Sequence, residues 1–230
     1  IDFNINSKEI EKWPELERYI LHQIFELNKS FEKYFKEYNF HKLYKELLNF
    51  CSLDLSAFYF DIRKDTLYCD EIKSPKRQIC INLLGLILDT LLKWFAPILS
   101  FTTEEIFRIL NQGTDTSIHL QKFPDIPSNW ENEKLAEKWS KLKIVRNVAN
   151  AAIEIKRSNK DIGSSLEADV QIYLGDEYLK LVKDVDLSEY FITSKASAKS
   201  IIDDDKLFKL EEVGNVGVFV KKAKGKKCSR

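Results

Sequence analysis

The chain holds 230 residues, enough for one large domain or two smaller ones with a substantial core. Its 36 basic and 36 acidic side chains cancel, so no global field draws it to a polyanion and charge has to be read locally. Plentiful aromatics with only seven glycines and five prolines argue against a disordered chain and suit packed helices.

A chain that begins at Ile1 and holds no methionine reads as an internal piece of something longer. Cys51, Cys69, Cys80 and Cys228 form no CxxC pair. Cys51 falls on an apolar helical stripe, where a buried reduced thiol is expected. With no signal-peptide pattern, this usage fits a reducing, cytoplasmic setting. Residues 79–99 are strongly apolar, but Asn82, Asp89 and Lys93 interrupt them. Such charges are costly at a bilayer centre, so the run reads as a buried core helix and no membrane partner is expected.

The first helix is expected over residues 14–38, with Pro14 at the first helical position and an apolar side of Leu16, Ile20, Ile24, Leu27, Phe31, Tyr34 and Phe35. Asn39 then suits an N-cap, with Tyr38 and Leu43 placed to form a hydrophobic staple. The second helix, residues 40–63 or a little beyond, carries Leu43, Leu47, Phe50, Cys51, Leu55, Phe58, Tyr59 and Ile62 in steps of three and four. A further row, Tyr44, Leu48, Ala57 and Phe60, implies that this helix is covered on more than one side. Ser74 and Pro75 mark the cap and first position of a third helix, limited by Pro97. Thr102 and Glu105 have capping-box spacing for a fourth, through about Leu110. Four helices with short connections suggest a bundle over residues 1–112.

Residues 113–130 read as a connector rich in small polar residues, with Ile118, His119 and Leu120 as a short extended piece. A fifth helix follows to Arg157 on the stripe Leu135, Trp139, Leu142, Val145, Ala149 and Ile153. The period then shifts to two: Ala168, Val170, Ile172 and Leu174 alternate with polar positions and predict a strand. Glu177 to Lys183 suits a short helix; Phe191 to Lys195 and Val216 to Val220 are further strand candidates. The fold class is therefore mainly α, a helical bundle followed by a small α+β domain within residues 131–230.

No GxGxxG or GxxxxGK[ST] loop is present, the three histidines stand alone, and nothing such as GxSxG supports a triad. No catalytic residue is assigned. The basic clusters are the functional candidates. Arg146, Asn150, Glu154 and Arg157 fall within roughly a quarter turn of each other, a face able to offer guanidinium forks to phosphates or base edges. The plainer reading is a solvated Glu154–Arg157 ion pair. Lys76 and Arg77 occupy the first turn of the third helix, where the macrodipole disfavours cations, which hints at an anionic partner. The tail KKAKGKKCSR from Lys221 could lie on a polyanion or be a solvated terminus. Phe58, Tyr59 and Phe60 could stack bases, but their spacing makes core the default.

CSLDLSAFYFDIRKDTLYCD, with Tyr38–Asn39–Phe40 before it and WFAPILSFTTEEIF after it, resembles the anticodon-binding helical domain of isoleucyl-tRNA synthetase, a bacterial-type class I enzyme related to the valyl and leucyl synthetases. SIHLQKFPDIP, RNVANAAIEIKRSNKDIGSSLEADVQIYL, FITSKASAKS and GVFVKKAKGKKCSR extend the likeness over nearly the whole chain. The resemblance implies a full enzyme that joins isoleucine to tRNA(Ile) with ATP and Mg on a catalytic domain bearing HIGH and KMSKS, neither of which occurs here. It also implies an editing domain acting on mischarged valine and a C-terminal zinc module opening G-x-K-C-x-R-C-W. Gly225, Lys227, Cys228 and Arg230 match that opening, so Cys228 becomes a zinc ligand whose partners would lie beyond Arg230, and no metal or other cofactor is expected in this piece. One departure is Glu17–Arg18–Tyr19 where the family has Asp-Arg-Trp. The implied role is recognition, as a monomer, of splayed anticodon bases, with Lys76, Arg77, Arg146, Lys156 and Arg157 as the expected contacts. Alternatives are the equivalent valyl or leucyl domain, or a helical protein-interaction scaffold marked by a contiguous exposed apolar patch.

Overall fold

A computed structural model describes residues 7–201 and 206–225. The chain divides into two units, Ile1–Glu133 and Lys134–Arg230. The first is helical. A single turn, α1 (Ser7–Ile10), precedes α2 (Glu15–Lys36), for which Pro14 stands at the N-cap, one position earlier than its spacing suggested. The α2 terminus closes without glycine. Tyr38 takes φ 56°, its N–H bonds to the Phe35 carbonyl and the Asn39 N–H to the Tyr34 carbonyl, the paired pattern of a Schellman motif. This left-handed turn leaves Tyr38 exposed while Leu43 is buried, so the expected staple does not form. Asn39 does cap α3 (Phe40–Asn49), accepting from the Lys42 N–H.

The next helix is where uniform α periodicity fails. Between α3 and α4 (Asp61–Cys69), residues Phe50–Phe60 wind as a π-helix. Leu43, Leu47, Cys51, Leu55 and Tyr59 recur in steps of four. In uniform α winding each such step overshoots a full turn by ~40°, or ~160° over the run, which would carry Tyr59 to the far side. The wider π turn, with its i→i+5 bonds, takes that drift back. Leu43, Leu47, Leu55 and Tyr59 are all buried as a result, and Cys51 is half-buried rather than buried. The Ser52 hydroxyl donates to the Leu48 carbonyl at 2.7 Å where the winding changes. The second apolar row is not covered: Tyr44, Leu48, Ala57 and Phe60 are exposed.

α5 (Pro75–Phe95) begins with Pro75 at its first position, although the Ser74 side chain makes no capping bond. By length and composition alone α5 could cross a membrane. In the bundle it buries Cys80, Leu83, Leu86, Ile87, Thr90, Leu92 and Trp94 and packs on α2, α4 and α6, as a core helix does. α6 (Ser100–Leu110) starts two residues before Thr102, so the expected capping box is absent; Thr103 instead donates its hydroxyl to the Leu99 carbonyl at 3.0 Å.

The segment expected as a connector is packed onto the bundle. Ile118–Leu120 is a 3-10 turn rather than an extended piece, and Ile118 joins Leu92 and Ala96 in a small core. The Glu104 carboxylate holds this turn, accepting from Ser117 Oγ at 2.7 Å and the Ile118 N–H at 3.0 Å. Phe123 lies 5.0 Å, ring to ring, from both Phe31 and Phe35. A second 3-10 turn, Ser128–Trp130, buries Trp130, and just beyond it the Asn132 N–H donates to His22 Nδ1 at 3.1 Å. Burial lowers the His22 pKa, which suits a neutral imidazole accepting at Nδ1.

In the second unit α7 (Glu133–Ser158) buries all six residues of its expected stripe. β1 (Ala168–Leu174) is the central strand of a three-stranded sheet in the order β2-β1-β3. It pairs in parallel with β2 (Lys195–Ser200), Asp169 opposite Lys195, and antiparallel with β3 (Val216–Lys222), Ala168 opposite Lys222. α8 (Asp176–Leu181) and α9 (Leu187–Phe191) make the crossover. Phe191 to Lys195 is therefore not a strand. The Asp186 carboxylate caps α9, and a second glycine-free Schellman turn at Ile192, φ 57°, ends it before β2 begins.

Candidate nucleic-acid interface

The expected contacts divide into cations that are already engaged and cations that remain outward. At the start of α5, Arg77 is half-buried and its Nε donates to the Leu67 carbonyl at 3.0 Å. That carbonyl belongs to the last turn of α4, where carbonyls lack helical partners and the dipole favours a cation. The apparent cost of a cation in the first turn of α5 is thus offset by a neighbouring helix end, and no anionic ligand is needed to explain it. Lys76 is also half-buried.

Arg146 departs most from expectation. It is 6% exposed, and its guanidinium carbon lies 5.6 Å from the centre of the Tyr190 ring, a cation–π contact. It does not share a solvated face with Asn150, Glu154 and Arg157. The helical angle was right, but the neighbouring α9 covers that part of α7. Arg157 Nη1 pairs with Glu154 Oε2 at 2.7 Å, both side chains exposed, and Lys156 Nζ pairs with Asp161 Oδ2 at 2.9 Å. These surface pairs cost little to exchange for phosphate contacts. Lys160 closes α7 at φ 62°, with its N–H on the Arg157 carbonyl and the Asp161 N–H on the Lys156 carbonyl, a third Schellman turn on a non-glycine residue. Glu154, Arg157, Ser158 and Lys160 line a shallow depression of about 310 Å³ beside it.

The first residues of the basic tail are structured. Lys221 and Lys222 belong to β3 and approach Asp169 at 3.4 Å and Glu167 at 3.8 Å. Cys228 lies outside the described residues. Among the described residues no group of three or more His, Cys, Asp or Glu side chains could hold a metal ion.

Two arrangements escaped the sequence reading. The first is inside the bundle. Glu17, fully buried, accepts from Arg63 Nε at 2.6 Å and Nη2 at 2.8 Å, from the Tyr59 hydroxyl at 3.2 Å and from Cys80 Sγ at 3.3 Å. One carboxylate thereby ties α2, the π-helical segment, α4 and α5 together. Burial pushes the Tyr59 hydroxyl pKa up and the Cys80 thiol up to about 12, with the Glu17 charge adding to both, so neither ionises near neutrality. The available signal was Glu17 standing three and four residues before Ile20 and Leu21, on the buried side of α2.

The second lies outside. Phe60, Lys64 and Tyr68 follow one another in steps of four, each exposed, Tyr68 to 83%. With Ser56, Asp61, Leu67 and Leu84 they line a groove of about 450 Å³.

A family description, "Anticodon-binding domain of tRNA ligase", matches residues 17–173, from the buried Glu17 into β1. The chain belongs to the anticodon-binding domain family of tRNA ligases. It is 49% identical over 228 residues to the isoleucine–tRNA ligase of Pelagibacter ubique, covering 99% of this chain and 25% of the relative. Against the isoleucine–tRNA ligase of Agrobacterium fabrum the identity is 42% over 222 residues, and against that of Bartonella henselae 39% over 218, each covering 94% of this chain and 22% of the relative. The chain thus spans about a quarter of the length of these relatives. Identity across both units extends beyond the family match, which ends at residue 173, so the α+β unit is part of the same likeness.

Proposed function

We propose that this chain recognises the anticodon region of isoleucine tRNA, as one part of an isoleucine–tRNA ligase that charges tRNA(Ile) at the expense of ATP. The observation that carries this reading is the alignment of 99% of the chain with an isoleucine–tRNA ligase at 49% identity, together with the anticodon-binding family match. ATP and Mg would belong to a catalytic domain elsewhere in such an enzyme, and zinc to a module that Cys228 helps to open. The setting would be the cytoplasm and the working form a monomer.

The residues on hand supply recognition rather than bond-making. Lys76, Lys156 and Arg157 are proposed as phosphate contacts, the last two exchanging Asp161 and Glu154 for phosphate oxygens. Binding of the chain to an isoleucine tRNA transcript, and to the same transcript with a changed anticodon, across a salt series tests the reading. Loss of affinity on changing the anticodon supports base readout. Equal and steeply salt-dependent binding would mean phosphate contact alone. No binding at low salt would overturn recognition by this chain.

A second reading has its own observation. Phe101 is 93% exposed on α6, with Ile109, Leu110 and Leu99 also outward, an apolar surface of the kind that docks protein. A Phe101→Ser variant with unchanged tRNA affinity would separate that surface from the tRNA interface.

A further inference from the structure

The outward groove beside α4 has a composition that the engaged cations lack. Lys64 makes no hydrogen bond or ion pair among the described residues, although Asp61 and Asp65 stand three before and one after it. The Tyr68 hydroxyl and the Ser56 hydroxyl are likewise uncommitted among the described residues. Two aromatic residues therefore stand one turn to either side of a free ammonium on one helix face, and Leu67 and Leu84 also line the groove.

We infer that this groove seats an unpaired nucleobase of the bound tRNA, stacked on Tyr68, with Lys64 on its phosphate. The inference rests on the tRNA-binding reading above and names a place for it. Two features select this occupant. The aromatic faces offer stacking that tolerates any base. Lys64 supplies the single positive charge that one nucleotide's phosphate requires. The groove volume, about 450 Å³, falls in the range of small-ligand sites. The π-helical segment contributes both Ser56 and Phe60, so the winding that turns Tyr59 inward also sets this outer face.

The test uses the whole chain and an isoleucine tRNA transcript carrying 2-aminopurine in the anticodon loop. Tyr68→Ala is expected to weaken binding by about 5- to 150-fold, the range for loss of one stacked base, with the salt slope unchanged. Lys64→Ala is expected to reduce that slope by about 0.7, the value for one phosphate contact on a single strand. Tyr68→Phe is expected to bind as the parent does. The 2-aminopurine quenching seen with the parent chain is expected to disappear with Tyr68→Ala. Binding and quenching unchanged in Tyr68→Ala and Lys64→Ala, with the parent chain still binding, would overturn the groove and leave the tRNA reading standing. A parent chain that does not bind would overturn both. Circular dichroism of the variants, all at exposed positions, confirms that the fold is retained.

Discussion

Tyr59 and Arg63 differ from Phe60 and Lys64 by one position along the same helix, and the two pairs have opposite fates. Both are an aromatic followed four residues later by a cation. Tyr59 and Arg63 face α2 and α5, where Glu17 accepts from both, and each is almost wholly buried. Phe60 and Lys64 face outward, and Lys64 has no partner among the described residues. The inner pair is spent on holding four helical segments together. The outer pair costs the fold nothing to keep free, which is what a binding surface requires. Residue type therefore does not separate structure from function here; the presence of a buried carboxylate on one side does.

The largest test of this contrast is to remove one inner partner. Arg63→Met leaves the Glu17 charge buried and is expected to cost about 3–5 kcal/mol of stability, measured by denaturant unfolding. Changing Glu17→Leu in the same chain should recover a large part of that loss, because the uncompensated charge is gone. Next in size, Tyr59→Phe removes one hydrogen bond to an ionised group and should cost about 1.5–3 kcal/mol. At the outer pair, Lys64→Ala is expected to stay within about 0.5 kcal/mol of the parent. A loss at Lys64 comparable to that at Arg63 would erase the distinction.

Acid should probe other engaged groups. Glu104, held by Arg108, Ser117 and the Ile118 N–H, has its carboxyl lowered to about 2 from an ordinary 4.5. The unfolded chain protonates first, so the contribution is full above pH 4.5 and is lost as pH falls towards 2. His22, lowered by burial from 6.5, follows the same sign: its contribution is full above 6.5 and falls as the unfolded chain takes up the proton. Thermal unfolding between pH 8 and 5 should show stability declining below about 6.5 in the parent and a flatter profile in His22→Gln.

The elements were largely legible because they rest on local periodicity. The α7 stripe is buried throughout, and alternation at Ala168, Val170, Ile172 and Leu174 marked β1 with those four residues inside the sheet. The misreadings have particular causes. Steps of four from Leu43 to Tyr59 fit an α-helix residue by residue, and only their accumulated drift points to π winding. Tyr38, Lys160 and Ile192 end helices in a left-handed conformation usually given to glycine, so helix ends and the Phe191 strand were misplaced. Arg146 lay on the predicted angular face, but the position of α9 decided that Tyr190, not solvent, meets it.

By itself the sequence determined the main helices, β1 and β3, the order of a helical unit and an α+β unit, and the family, since each depends on residues close together or on their order. Tertiary structure decided which charges are committed. Arg63 meets Glu17 across 46 residues, Cys80 meets it across 63, and Arg77 reaches the Leu67 carbonyl of another helix. A carboxylate or carbonyl brought within 3 Å outweighs any preference carried by a cation's own helix position, because charge-assisted bonds in a desolvated site exceed the few tenths of a kcal/mol of local helix electrostatics.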